Sequence, residues 1–189
     1  MEVSIKQFSN KIRHLIFKPT SFWKNEKLIP NGIQPLFLGH FLPLVLLTGA
    51  AEFFGQLLKG SGFYLMYPLM RSMREIILYL LMYVFSVFLT QKLIKPFEGK
   101  NHTSAVKKLI TYSLMPVMLV SIVTSLFPFL YILDVLAFYS FFIFIVGVDE
   151  LMEFPERKQT RYIVIALMGN LFIYSFLSLF LTRLVTSFL

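Results

Sequence analysis

The chain has 189 residues, 57% of them apolar and 17% aromatic, and a formal net charge of +8, with a mean hydropathy of +0.71. A soluble domain carries about 45–50% apolar residues, so the composition excludes one and indicates an all-α, polytopic membrane protein. The absence of cysteine excludes a disulfide framework, a thiolate metal site and a cysteine nucleophile, and no alternation of the transmembrane-barrel kind is present.

Residues 1 to 30 hold six basic residues and no uninterrupted apolar core, so this stretch is expected to stay on the mature chain rather than act as a cleaved leader. From Ser4 to Lys18, Ile5, Phe8, Ile12, Leu15 and Ile16 recur at helical spacing, with Lys6, Lys11, Arg13 and Lys18 at other positions. This is an amphipathic helix, suited either to the membrane interface or to the protein's own cytoplasmic surface. Pro19 should end it. Phe22 and Trp23 are expected at headgroup level as aromatic anchors, and Pro30-Asn31-Gly32 is expected to turn the chain toward the first span. Residues 1–33 thus form an interfacial segment and 34–189 a five-helix domain.

The spans are expected at about 34–58, 76–94, 109–127, 130–152 and 162–188, each long enough for a hydrocarbon core of about 30 Å. Pro43 should kink the first, which also carries Ala51 and Gly55 at a small-residue spacing that serves either a dimer contact or packing within the chain. Residues 59–75, with Gly60-Ser61-Gly62, Tyr64, Tyr67 and Pro68, read as an interfacial loop. The loop 95–108 holds Lys95, Lys100, Lys107 and Lys108 and a turn signal at Glu98-Gly99-Lys100-Asn101. Pro116 interrupts the third span, and Phe127-Pro128 is a tight turn into the fourth. No internal repeat is evident, which leaves an inverted-repeat transporter unsupported.

Fourteen of the Lys and Arg residues fall on the side of the N-terminus and four on the other, which puts the N-terminus in the cytoplasm and the C-terminus outside. The same bias explains the basic charge through lipid phosphate and topology, and no nucleic-acid partner is expected.

Ionisable groups within spans are the default functional candidates. His40 and Glu52 lie about 120° apart round the first helix. They either line a cavity or sit near the two ends of the span. Asp134, near the start of the fourth span, is a further intramembrane polar candidate, or else only caps that span. Asp149, Glu150 and Glu153 gather at its other end, with Asp149 and Glu153 one turn apart. They are suited to a cation held by oxygen ligands or to a basic partner segment, or else to pairing with Arg157, Lys158 and Arg161 or with the loop after span two. No catalytic constellation, phosphate loop or His-Glu-x-x-His motif occurs, so no enzymatic activity and no cofactor are expected.

Leu15-Ile16-Phe17-Lys18-Pro19-Thr20-Ser21-Phe22-Trp23 resembles the opening motif of bacterial members of the Yip family, the Ypt/Rab-interacting membrane proteins. Tyr112-Ser113-Leu114-Met115-Pro116 is similar to the tyrosine and proline motif of that family's third span, and Tyr139-Ser140 through Gly147-Val148 to its fourth. The motif residues Pro19, Trp23, Tyr112, Pro116, Tyr139 and Gly147 carry the likeness, which covers nearly the whole chain. The Asp-Leu-Tyr-Gly-Pro hallmark of eukaryotic members is absent. The resemblance implies a five-span fold with a cytoplasmic N-terminus and, for eukaryotic members, membrane trafficking through prenylated small GTPases. For this chain it implies a bacterial inner-membrane protein with a binding or membrane-organising role, in contact with the lipid bilayer and a protein partner or a second copy. A small transporter or channel lined by His40, Glu52 and the kinks at Pro43 and Pro116 is the alternative, and lipid handling by the phenylalanine-rich surfaces a third possibility.

Overall fold

The structure is a computed structural model that describes residues 5–29, 36–59, 65–100 and 103–187. Among these residues the chain is helical, with no strand. Helix α1 spans Ile5–Phe17 and α2 spans Pro19–Leu28. Pro19 does end α1, but the chain re-enters a helix at once. Proline suits the first helical turn because the N–H it lacks has no intrahelical acceptor there. The apolar side of α1 packs on the helix bundle, with Leu15 1% exposed and Phe8 and Ile12 against the core. The turn at Pro30-Asn31-Gly32 lies outside the described residues.

Phe22 and Trp23 are not headgroup anchors. They are 2% and 0% exposed, inserted between α1 and the bundle. The Trp23 indole N–H donates to the Ile143 carbonyl at 3.2 Å, and its ring meets Tyr112 with centroids 5.6 Å apart. A periodic pattern cannot tell an aromatic at a membrane surface from one under a surface helix, since both end an apolar stripe.

A π-helical turn at Phe37–Phe41 leads into α3, Leu42–Leu58. Pro43 cannot donate to the carbonyl four residues back, and the wider turn before it is the local adjustment to that loss. Helix α4 spans Met66–Ile94, a correction to the loop expected at 59–75, of which residues 60–64 lie outside the described residues. Arg71 and Arg74 break the apolar run and so resemble a loop, but both are paired inside the bundle. After a short 3₁₀ turn at Lys95–Phe97, α5 spans Thr103–Leu126, beginning earlier than the expected 109. Every residue from Lys108 to Pro116 is buried, which marks α5 as the central helix.

Past Phe127 the chain turns as expected and forms a run of 3₁₀ turns, Pro128–Phe138, with a kink at Leu130. Helix α6 follows at Tyr139–Leu151, and α7 spans Glu156–Ser187, longer than the expected 162–188 at its start. In all, five helical stretches among the described residues are long and apolar enough to cross a membrane. Helix α3 packs on α4 and α5, α4 on α7, and the 128–151 stretch on α5, whereas α6 and α7 make few contacts with each other. Where α3 crosses α5, a Cβ on Gly55 would collide with the Ser125 carbonyl oxygen. The small residue thus serves an intrachain backbone contact, one of the two uses its spacing allowed. Phe172, Phe176 and Phe180 line the exposed face of α7, one turn apart and stacked with centroids 6.3 and 6.2 Å apart.

Candidate functional site

Charge in an apolar bundle must be paired and hydrogen-bonded to be tolerated. Glu52, 6% exposed, accepts from Arg71 Nε at 3.1 Å, Gln56 Nε2 at 2.8 Å and Ser125 Oγ at 2.8 Å. One turn along α4, Arg74 pairs with Glu75 and donates through Nη2 to Ser178 Oγ at 2.6 Å and Thr182 Oγ1 at 3.0 Å. These bonds tie α3, α4, α5 and α7 together at one end of the bundle. Of these groups only Glu52 was singled out from the sequence. The available signal for the others was the one-turn spacing of Arg71 and Glu75 just ahead of an apolar helix.

Beside this cluster a cavity of about 530 Å³ lies between α4, α5, the 128–151 stretch and α7. Arg71, Glu75 and Asp134 line its charged end. Ser86 also lines it; fifteen residues of helix separate it from Arg71, a rise of about 22 Å. Met82, Leu114, Val117 and Phe141 form apolar wall between these levels. The Ser86 and Ser113 hydroxyls and Asn170 Oδ1 are sealed within that wall with no hydrogen-bond partner among the described residues. Beyond Ser86 the bundle closes: Thr90, Val106, Leu109 and Tyr162 are all 0% exposed.

Pro116 helps to shape this wall. Lacking an N–H, it frees the Tyr112 carbonyl from its helical bond, and the following amide, Val117 N–H, donates to Ser140 Oγ at 3.1 Å. On the side where α6 and α7 make few contacts, the cavity has a lateral mouth. Phe138 and Leu171 both line it and are exposed, at 62% and 38%. In a membrane-spanning bundle such a face meets lipid.

Asp134 does not cap the fourth span. The cap position is Phe127, and Asp134 sits within the 3₁₀ run on the cavity wall, exposed and with no ion pair or hydrogen bond among the described residues. His40 lies in the π turn against the rings of Phe8 and Tyr112. Neither it nor Glu52 lines the cavity.

Asp149, Glu150 and Glu153 have separate partners. Asp149 accepts from Gln159 Nε2 at 2.6 Å, Glu150 faces Lys24 of α2 at 3.9 Å, and Glu153 pairs with Lys100, which also donates its backbone N–H to the Glu153 carbonyl at 3.2 Å. The hydrogen bond and charge of Glu153 raise the Lys100 ammonium above its ordinary pKa. Among the described residues no group of three or more His, Cys, Asp or Glu is placed to hold a metal ion.

Of the family motif residues, Pro116 shapes the cavity wall, and the others gather where α1 and α2 meet α5 and α6. Pro19 starts α2, and Phe22 and Trp23 pack edge-on against Tyr112. The Tyr139 hydroxyl donates to the Ile16 carbonyl at 2.6 Å, and a Cβ on Gly147 would lie 2.8 Å from the Trp23 indole. Apart from Pro116, the motif is therefore the docking of α1 and α2 onto α5 and α6. No curated protein and no solved structure matches the chain. The family model described as the Yip1 domain matches residues 13–179, which include all of these packing residues, and the chain belongs to that family as an integral membrane protein.

Proposed function

We propose that this chain is a non-enzymatic binding component of its membrane, with its N-terminus in the cytoplasm, that takes its ligand into the cavity between α4, α5, the 128–151 stretch and α7. The laterally open cavity carries this reading. It combines a charged end with an apolar arm, and pockets that hold ligands are typically apolar with a few placed polar groups. A membrane-organising role follows if the occupant comes from the bilayer. The acid residues at 149–153 support it less, because each is engaged within the chain.

Transport of a small solute is the second reading, favoured by the one-ended shape of the cavity. It requires the packing around Thr90 and Tyr162 to open. Reconstituted vesicles would show solute flux on that reading and none on the first.

The test of the first reading is native mass spectrometry of protein purified in mild detergent, beside Ala137→Trp, which fills the cavity from the 3₁₀ wall. The wild type should retain a small molecule or lipid that the variant loses, with circular dichroism unchanged. If nothing is retained, or if occupancy is the same in a folded variant, the cavity is not a binding site.

A further inference from the structure

We infer that the occupant of this cavity is an amine-bearing phospholipid, held by its headgroup at the charged end; the inference rests on the cavity being a binding site. Two groups there are incompletely engaged. Arg71 uses Nε on Glu52, while its two terminal nitrogens have no hydrogen-bond partner among the described residues. A guanidinium fork of that kind matches a phosphate oxygen pair. Asp134 offers a carboxylate on the same cavity, without an ion pair among the described residues.

The two groups line one end of the cavity and are linked through Glu75 and Tyr174, since Arg71 acts electrostatically on Glu75, and Glu75 and Asp134 both act on Tyr174. One cationic and one anionic group at one end complement a headgroup that carries a phosphate and an ammonium. Glu75, already paired with Arg74, adds negative field near the ammonium.

The rest of the cavity suits a hydrocarbon chain. The mouth between Phe138 and Leu171 lets a chain enter sideways without crossing water. The arm from the level of Arg71 to that of Ser86 is about 22 Å long by helical rise, most of the hydrocarbon thickness of a leaflet pair of about 30 Å. The unpartnered oxygens of Ser86, Ser113 and Asn170 are covered, so an acyl chain there meets Met82, Leu114, Val117 and Phe141 rather than those oxygens. A free solute with the same two charges would leave this apolar arm unfilled.

The experiment offers the purified protein, in mild detergent, mixed micelles of phosphatidylethanolamine, phosphatidylcholine and phosphatidylglycerol in equal amounts and reads the retained lipid by native mass spectrometry. The choline lipid keeps the charges but has no N–H donor, and the glycerol lipid keeps the phosphate but has no cation. The ethanolamine lipid should be retained at least tenfold over either. Asp134→Asn, at an exposed position, should keep its fold and lose that preference, and Ala137→Trp should retain none of the three. Equal retention of the three lipids, a preference unchanged in Asp134→Asn, or a non-lipid occupant displaced by Ala137→Trp overturns the inference and leaves the binding site standing. Retention of no occupant that Ala137→Trp removes overturns both.

Discussion

Glu52 and Arg71 show how a buried pair acts at the scale of single residues. Glu52→Ala strands Arg71 in the bundle and is expected to cost about 3–5 kcal/mol, whereas the double variant Glu52→Met with Arg71→Met should lie within about 1–2 kcal/mol of wild type. Thermal or denaturant unfolding in detergent measures both, and equal losses in the two would show that the pair is not coupled. Ser86 points the other way. Its hydroxyl is buried and without a partner among the described residues, so Ser86→Ala should leave stability unchanged or raise it by about 1 kcal/mol. Gly55→Ala drives a Cβ into the Ser125 backbone and should destabilise by about 1–3 kcal/mol, since backbone gives way less than a side chain. Of the cavity's charged residues, Asp134 is legible in the sequence as an ionisable group within a span, though capping explains it there equally well. Arg71 and Glu75 are not, because charges flanking an apolar run look the same whether they face water or each other.

Helices α1 and α2 belong to the bundle through specific bonds as well as through an apolar stripe. Lys108 Nζ donates to the Glu26 carbonyl at 2.8 Å and to the Ile29 carbonyl at 2.9 Å, which satisfies acceptors that the end of α2 leaves open and places positive charge at that end. Glu26 in turn meets Lys11 of α1 at 2.6 Å. Lys108→Met should therefore loosen α2 selectively: amide exchange at residues 20–28 should quicken by tenfold or more while exchange in α5 stays slow. Uniform acceleration in both helices would instead mean that Lys108 supports the whole bundle. The Lys100–Glu153 pair is a weaker clasp on the surface. With the Lys100 pKa raised in the folded chain, its contribution is present below the ordinary lysine value and lost as pH rises through the folded one. The five spans were legible because long apolar runs have one stable form in lipid. The start of α4, the start of α7 and the whole of α2 were not, because their polar residues are satisfied by partners distant in the sequence.

The orientation of the whole molecule is testable without engineering away native thiols, since the chain has no cysteine. With the cytoplasmic N-terminus proposed above, Lys100→Cys should react with a membrane-impermeant maleimide only after the membrane is opened, and Lys59→Cys in intact cells. The reverse pattern would invert the assignment and would move the charged end of the cavity to the other leaflet. The eleven residues of 3₁₀ turn at Pro128–Phe138 link the cavity to its surroundings in another way. A 3₁₀ run rises about 2.0 Å per residue against 1.5 Å for an α-helix, so rewinding residues 131–138, beyond the kink at Leu130, would shorten them by about 4 Å and turn them by nearly half a revolution. Asp134 and Phe138, four residues apart, would turn by different amounts, so the wall they form on the cavity would change shape. Because a thick bilayer favours the longer form and a thin one the shorter, lipid retention by the cavity is expected to change with acyl-chain length when the protein is reconstituted in bilayers of different thickness.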